Sequence, residues 1–173
     1  GIMLLRVNAL CIGLSGIRLE VIEQIIKYIN NDIIPVIPSQ GSLGASGDLA
    51  PLSHMGLTLL GYGEVYYKGQ KVQTKEALRS EGITEIKYLV AKEGLSLING
   101  TQAMVAVGAL TLYDAIKLSK LCDIAGALTL EALLGIKDAF DARIHHARGQ
   151  IGQIKVASNI LKLTQGSQYL TSQ

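Results

Sequence analysis

Apolar residues recur at helical spacing over most of the chain, and short polar stretches separate the resulting segments. Four isoleucines between positions 22 and 29 form one stripe of a helix that this spacing predicts over about 16–31, with Ser15 as its cap. The same spacing predicts a helical end over 2–12, a helix at about 49–60, a short helix at 75–81 and a last helix at about 152–163. A mainly α fold is therefore expected.

Two segments depart from the helical pattern. Residues 33–38 must be extended, because Pro35 and Pro38 each disfavour a helical conformation at the residue before them. Two short runs within 64–73 flank Lys68-Gly69-Gln70, and this arrangement predicts a small β-hairpin at the surface. The expected fold class is mainly α, with one small hairpin beside the helices.

Residues 95–113 carry no charge. A transmembrane helix needs about 20 predominantly apolar residues, so length alone allows a membrane span here. The polar and glycine residues within the run favour instead a helix that is buried on every side in a bundle, and we expect no membrane partner. Sparse charges at helical spacing extend this helix, unbroken or broken near Gly126, to Leu134, with Gly135 as its C-cap. The central bundle helices are thus predicted over about 94–134, and a loop follows at 136–149.

The composition is more apolar than one small domain requires. Hydrophobic residues make up 49% and charged residues 17% of the chain, whereas about 25% of the residues in an ordinary domain are charged. We therefore expect apolar surface to be buried against other subunits or further segments. Both ends of the chain read as interrupted elements, so residues 1–173 are predicted to form a single partial domain of a larger protein.

Charge and cysteine content exclude several kinds of partner. The 16 basic and 14 acidic residues give a net charge of +2 without runs of like charge, so no nucleic-acid surface is expected. Cys11 and Cys122 lie in apolar helical patterns without Cys-x-x-Cys spacing, which indicates buried thiols rather than disulfides or a metal site. No secretory leader pattern opens the chain, and a cytoplasmic location is predicted.

The stretch 41–51 has the sequence Gly-Ser-Leu-Gly-Ala-Ser-Gly-Asp-Leu-Ala-Pro. Its small side chains allow bends that bulkier residues forbid, so a tight loop is expected. Asp48 is a candidate N-cap and Pro51 suits the first turn of the helix that follows. The stretch lacks the spacing of both common phosphate-binding glycine motifs, which makes a phosphate site improbable.

Ala45-Ser46-Gly47 offers a sharper chemical reading of the same loop. If the Gly47 amide nitrogen bonds to the Ala45 carbonyl carbon, a five-membered ring closes, and loss of water from Ser46 turns its β-carbon into an electrophilic methylidene. Gly47 has no Cβ to obstruct its nitrogen, Ala45 is small, and Ser46 carries the hydroxyl that leaves. The residues alone leave a second reading open, in which the loop only turns the chain.

Two further clusters are candidates for chemistry. In 92–102, Asn99 precedes a glycine at the entrance to the long helix, and the residues alone favour a capping role for it. In 140–153, His145 and His146 are adjacent and lack a metal-binding spacing, so a solvated loop anchored by arginine is expected and no metal is predicted. His54 is interpreted as a packed or hydrogen-bonded core histidine.

The stretches 41–54, 92–102 and 140–153 together resemble the aromatic amino acid ammonia-lyase family, and 140–153 is similar to its histidine-specific members. The resemblance implies a methylidene-imidazolone prosthetic group that forms autocatalytically from Ala45-Ser46-Gly47. It assigns Asn99 to hydrogen bonding near this ring and the substrate amine, where a donor would stabilise developing negative charge. Asp48 is a candidate proton acceptor during ring formation.

The resemblance also implies an activity and an assembly. The expected reaction is elimination of ammonia from L-histidine to give urocanate, in a homotetramer whose neighbouring subunits complete each active site. The chain would cover about a third of such an enzyme, without the catalytic base and the substrate clamp. We therefore expect the isolated chain to be inactive and its tripeptide 45–47 to be uncyclised. The alternatives are a phenylalanine- or tyrosine-specific lyase segment and a non-enzymatic helical assembly module.

Overall fold

The structure is a computed structural model that describes residues 1–172. It is mainly helical, with three short strands and one 3-10 turn at Lys137–Phe140. The helices are α1 Ile2–Leu10, α2 Leu19–Asn30, α3 Leu49–Leu59, α4 Thr74–Ser80, α5 Glu93–Ile98, α6 Gln102–Ala132, α7 Ala142–Arg148 and α8 Ile151–Leu163. The strands are β1 Ile34–Pro35, β2 Glu64–Tyr67 and β3 Gln70–Gln73. The predicted mainly α fold with a small hairpin is confirmed.

The strands form one antiparallel sheet in the order β1-β2-β3. Lys68 and Gly69 join β2 to β3 with φ values of 50° and 77°, the left-handed conformations that fit a two-residue hairpin turn to the strand twist. Val65 and Tyr67 of β2 are buried in the core. The predicted hairpin is therefore confirmed, whereas its interpretation as a surface feature is wrong, since one strand contributes to the core.

The chain folds as two compact units, an N-terminal unit of residues 1–110 and a C-terminal unit that begins at Thr111. The boundary lies within α6, and the single partial domain over 1–173 stays a prediction. The N-terminal unit has a continuous apolar core to which α2, α3, α4 and the sheet contribute. Its largest fully buried side chains include Tyr28, Leu10, Ile25, Leu52, Met55, Leu59 and Leu78.

The start of α2 differs from the prediction of a helix from residue 16 with Ser15 as cap. Gly16 adopts a left-handed φ of 66°, and the helix begins three residues later with Arg18 at the N-cap position. The Ser15 carbonyl accepts a hydrogen bond from the Ser96 hydroxyl at 2.6 Å. The segment before α2 is thus fixed by a residue distant in sequence, which local spacing does not encode.

Within the described part of this chain alone, the long apolar helix is not buried on every side, and its burial in a larger bundle stays a prediction. The structure divides it into α5 and α6, and most of the large apolar side chains of α6 are exposed, Leu110, Leu118 and Leu128 among them. Glu93–Ala132 has the length and composition of a membrane span, with a mean hydropathy of 1.4 over a stretch that is 22% buried. This alone is weak evidence for a membrane, because long apolar helices of bundles share both properties.

Three further details depart from the predictions. The expected loop at 136–149 contains the 3-10 turn and α7, which begins after Asp141 and ends at Gly149 with a φ of 70°. After α6, Leu134 rather than Gly135 takes the left-handed conformation, and the Gly135 amide donates to the Leu130 carbonyl. Cys11 and Cys122 are exposed free thiols rather than buried ones, because neither helix is covered at these positions by other described residues.

Candidate functional site

The glycine loop is bent sharply around its central tripeptide. Gly41, Ser46, Gly47 and Asp48 have φ values of 94°, 66°, 90° and 74°. Such angles are readily accessible to glycine, but at a residue with a side chain they cost about 1–3 kcal/mol. The strain at Ser46 and Asp48 must therefore be balanced by contacts that hold the loop in this shape.

Asp48 closes the base of this loop rather than capping α3. It occupies the N-cap position, but its side chain accepts no hydrogen bond from the helix. Its Oδ1 instead accepts a short hydrogen bond from the Ser42 hydroxyl. The predicted cap is wrong, because the left-handed backbone at Asp48 removes the extended conformation that a capping side chain needs. Its predicted role as a proton acceptor stays a prediction.

Gly47 packs directly against the backbone of Gly100. A Cβ on Gly47 would lie 2.6 Å from the Gly100 carbonyl oxygen and 3.2 Å from the Thr101 nitrogen, so no side chain fits there. Gly47 is buried, whereas Ala45 and Ser46 are exposed. The contact places the tripeptide on the turn between α5 and α6, which joins two of the stretches singled out in the sequence.

Asn99 lies in that turn, directly before Gly100. It is the C-cap residue of α5, with φ −88° and ψ 103°, and its amide donates to the Leu95 carbonyl at 2.9 Å. The residue is exposed and does not cap α6, which begins at Gln102. Asn99 thus directly precedes the glycine that Gly47 contacts. Its predicted role toward the ring and the substrate amine stays a prediction.

Arg6 of α1 also lies close to Gly100. Its guanidinium donates to the Gln102 side-chain oxygen at 2.6 Å and, in a short hydrogen bond, to the Ser96 carbonyl. A Cβ on Gly100 would overlap both the guanidinium and the Gln102 amide. Only 4% of Arg6 is exposed, and burial lowers its pKa. Sequence reasoning missed this residue, although it is the one charge within residues 1–17.

A second arginine fixes the start of α5. Glu93 is 1% exposed and accepts hydrogen bonds from the Arg18 backbone nitrogen, the Arg18 guanidinium and the Val90 nitrogen, at 2.8–2.9 Å. These bonds, led by that of the Arg18 side chain, lower the pKa of Glu93 to about 2. The carboxylate is thus charged and paired, and it anchors the helix that leads to Asn99.

The stretch 140–153 lies in the C-terminal unit and is ordered around His145. The Gln153 amide nitrogen donates to Nδ1 of this histidine at 2.9 Å, and Nε2 donates to the Ala139 carbonyl at 3.1 Å. His145 is 8% exposed. The predicted solvated loop is therefore wrong for His145, because its side chain is buried and both of its ring nitrogens have protein partners.

The neighbours of His145 fit the predicted arginine-anchored surface better. His146 is exposed and bonds the Ala142 carbonyl through Nδ1 at 2.7 Å. Arg143 pairs with Asp141 and lowers the pKa of that carboxyl to about 2. On α3, His54 is half-buried. Within residues 1–172, no group of three or more His, Cys, Asp and Glu side chains could hold a metal ion.

Comparisons with known proteins agree on one family. A family model described as aromatic amino acid lyase matches residues 1–173. The chain is 57% identical over 173 residues to a histidine ammonia-lyase of Alkaliphilus oremlandii, covering 100% of this chain and 34% of that protein.

Two solved structures show the same similarity in three dimensions. A histidine ammonia-lyase from Trypanosoma cruzi matches with a TM-score of 0.85 and 40% identity, over 92% of this chain and 31% of that one. A phenylalanine ammonia-lyase from Rhodosporidium toruloides matches with a TM-score of 0.88 and 33% identity, over 99% of this chain and 27% of that one. The chain therefore spans about a third of the length of these relatives.

Proposed function

The chain belongs to the aromatic amino acid lyase family, and on that basis we propose that it is the prosthetic-group segment of an enzyme that eliminates ammonia from L-histidine to give urocanate. The identity of 57% to a histidine ammonia-lyase supports this substrate. The match to a phenylalanine ammonia-lyase keeps phenylalanine or tyrosine as the second candidate. The single observation that carries the proposal is the contact of Gly47 with Gly100, which places the electrophile precursor beside the turn that contains Asn99.

The residues present fit a methylidene-imidazolone group. Ser46 and Gly47 already have the positive φ values of a sharp bend, 66° and 90°, at the tripeptide that would cyclise. Ring closure joins the Gly47 nitrogen to the Ala45 carbonyl carbon, and the Ala45 oxygen leaves as water with the two amide hydrogens of Ser46 and Gly47. Ser46 then loses its hydroxyl and its α-hydrogen as a second water. The finished group would supply an electrophilic carbon for covalent catalysis.

The remaining residues of the site hold and polarise this segment. The Gly100 carbonyl leaves no room for a side chain at Gly47, so the Gly47 nitrogen stays unobstructed. Ser42 holds the Asp48 carboxylate at the base of the loop, where Asp48 accepts a proton during ring closure. Asn99 donates a hydrogen bond toward the Ala45–Gly47 segment and stabilises the negative charge that develops there.

The proposal includes an assembly and a location. The exposed apolar side chains of α6 are covered in a homotetramer, in which neighbouring subunits complete each active site. The enzyme acts in the cytoplasm. The chain alone lacks the partners, the catalytic base and the substrate clamp, so it is inactive and its tripeptide is uncyclised.

Intact mass tests the ring directly. A full-length lyase that carries this segment is expected to be lighter than its sequence by two waters, about 36 Da, and the 173-residue chain alone to show no loss. Ser46→Ala in the full-length lyase should lose both the mass change and urocanate formation. If the full-length protein formed stable oligomers but had the mass of its unmodified sequence, the helical assembly module would be favoured instead.

A pair of glycine substitutions separates the Gly47 contact from general effects on the loop. Gly47→Ala should prevent ring closure, because its Cβ would meet the Gly100 carbonyl at 2.6 Å. Gly44→Ala is the matched control, since its Cβ would meet only the Met104 methyl carbon at 3.9 Å. Parallel assays with L-histidine, phenylalanine and tyrosine identify the substrate. Urocanate formation by the chain alone, or by Gly47→Ala at the rate of Gly44→Ala, would contradict the proposal.

A further inference from the structure

Arg6 is a buried cation without a carboxylate partner among residues 1–172. It is 4% exposed, and its hydrogen bonds go to the neutral oxygens of Gln102 and Ser96. Its Nε is buried and has no hydrogen-bond partner within the described part of the chain. A buried charge that is unpaired and incompletely bonded lowers stability, so its presence calls for a reason other than folding.

The contacts of Arg6 converge on the turn that receives Gly47. The Ser96 carbonyl belongs to α5 and the Gln102 side chain to the first residue of α6, so the guanidinium bridges the two helices across Asn99–Thr101. Gly100 lies against this bridge so closely that a Cβ on it would overlap both partners. The Gly100 peptide is therefore in close contact both with the Arg6 and Gln102 side chains and with Gly47.

Gly47 depends on that contact. Its left-handed φ of 90° follows a strained Ser46 at 66°, and the Gly100 backbone is the nearest group that a Cβ on Gly47 would meet. A displacement of Gly100 would open space beside Gly47 and let the loop relax toward unstrained angles. Reactions that depend on the alignment of two backbone groups lose about 100-fold in rate for a misplacement of about 1 Å.

We propose that Arg6 is a positioning residue for formation of the prosthetic group. It fixes the Gly100 peptide through Gln102 and Ser96, and Gly100 in turn holds Gly47 where its nitrogen can reach the Ala45 carbonyl carbon. The inference rests on the proposed function, because it concerns the rate at which the same tripeptide cyclises. It adds a residue of α1, outside all three family-like stretches, to the site.

The test measures ring closure in the full-length lyase as the fraction of chains lighter by two waters, followed over time after synthesis. Arg6→Gln is expected to slow closure about tenfold or more, and Arg6→Lys, which keeps the charge but lacks the forked guanidinium geometry, should be intermediate. Arg79→Gln is the charge-matched control, because Arg79 is an exposed residue of α4. Leu78→Ala is the stability control, because Leu78 is a buried residue of the same helix.

Gln102→Leu tests the route. If Arg6 acts through Gln102, this variant should slow closure as well, and the double variant with Arg6→Gln should close no more slowly than the slower single variant. If Arg6→Gln does not fold, as judged by circular dichroism, Gln102→Leu decides the question alone.

Closure at the wild-type rate in Arg6→Gln or in Gln102→Leu would overturn the inference. If Leu78→Ala slowed ring closure as much as Arg6→Gln does, the inference would also be overturned, since lower stability alone would then explain the slower closure. Absence of the mass change in the wild-type full-length lyase would overturn the proposed function instead, so the two failures are distinguishable.

Discussion

The two units use similar apolar sequence in opposite ways. In the N-terminal unit, side chains from α1, α2, α3, α4, α5 and β2 bury one another in a continuous core. In the C-terminal unit, the buried apolar residues among those described are Ala127, Ala157 and Ile160, while leucines and isoleucines of α6 face outward. The N-terminal unit thus supplies its own covering surface, whereas the C-terminal unit leaves most of its large apolar side chains exposed. Hydrophobic content alone does not distinguish these situations.

The same substitution in each unit should give the largest contrast. In the chain alone, Leu52→Ala is expected to cost about 3 kcal/mol because it empties a fully packed site. Leu118→Ala should change the free energy of unfolding by less than about 0.5 kcal/mol, since Leu118 is 61% exposed. Urea denaturation of both variants measures the difference. Equal costs in the chain alone would break the comparison between the units.

The Arg18–Glu93 and Arg143–Asp141 pairs give the next contrast. Glu93→Gln should cost about 2 kcal/mol, because it leaves the Arg18 guanidinium with a weaker acceptor in a buried setting. Asp141→Asn should cost less, because Arg143 is 90% exposed and solvent replaces the lost interaction. Chemical denaturation at neutral pH compares the variants. A larger loss for Asp141→Asn would show that burial does not set the strength of these pairs.

Acid should weaken the Glu93 pair in a defined pH window. The pKa of Glu93 falls from its ordinary 4.5 to about 2 on folding, so its contribution is complete above 4.5 and is lost as the pH falls toward 2. The stability difference between the wild type and Glu93→Gln should therefore shrink over that range. Denaturation midpoints at a series of pH values measure it. If the stability difference between the two proteins stayed constant down to about pH 2, the pKa of Glu93 in the folded chain, the lowered pKa of Glu93 would be contradicted.

The smallest effect on stability is expected from polar substitution on α6. Leu118→Glu should leave the free energy of unfolding of the isolated chain within about 0.5 kcal/mol, while self-association of the chain falls because apolar surface is removed. Lys120→Glu changes the charge on the same helix without removing apolar surface and serves as control. Light scattering at several protein concentrations measures association. Unchanged association in Leu118→Glu would show that this face of α6 does not mediate self-association of the chain.

Local signals predicted much of the fold correctly. Pro51 at the start of α3 and the Lys68-Gly69 turn of the hairpin act within a few residues, and both elements lie where expected. The helix α7 was missed although Asp141 accepts from the Arg143 nitrogen as a cap and Gly149 ends the helix. The density of charge in that stretch outweighed these two signals, which shows that capping residues can define a helix without an apolar stripe.

Long-range contacts account for what the sequence did not predict. Helical spacing places residues of α6 on a helix, but it does not say which of them another surface covers. Asp48 is of a residue type that often caps helices, but with its left-handed backbone its side chain accepts a hydrogen bond from Ser42 and none from the helix. In the sequence, Arg6 is visible only as a single charge in an apolar helix, because its hydrogen-bond partner Gln102 follows 96 residues later in the chain. The motifs supplied the candidate site residues, whose roles stay predictions, but they did not indicate the residues that hold them in place.

The contact between Gly47 and Gly100 also sets an order of events during biosynthesis. The two glycines are separated in the chain by α3, β2, β3, α4 and α5, so neither can reach the other until that whole stretch has been synthesised and packed. Closing so long a loop costs entropy that packing must first offset. Maturation of the proposed electrophile would therefore follow folding, and its presence in a chain would be a chemical record that this stretch had already reached its native state.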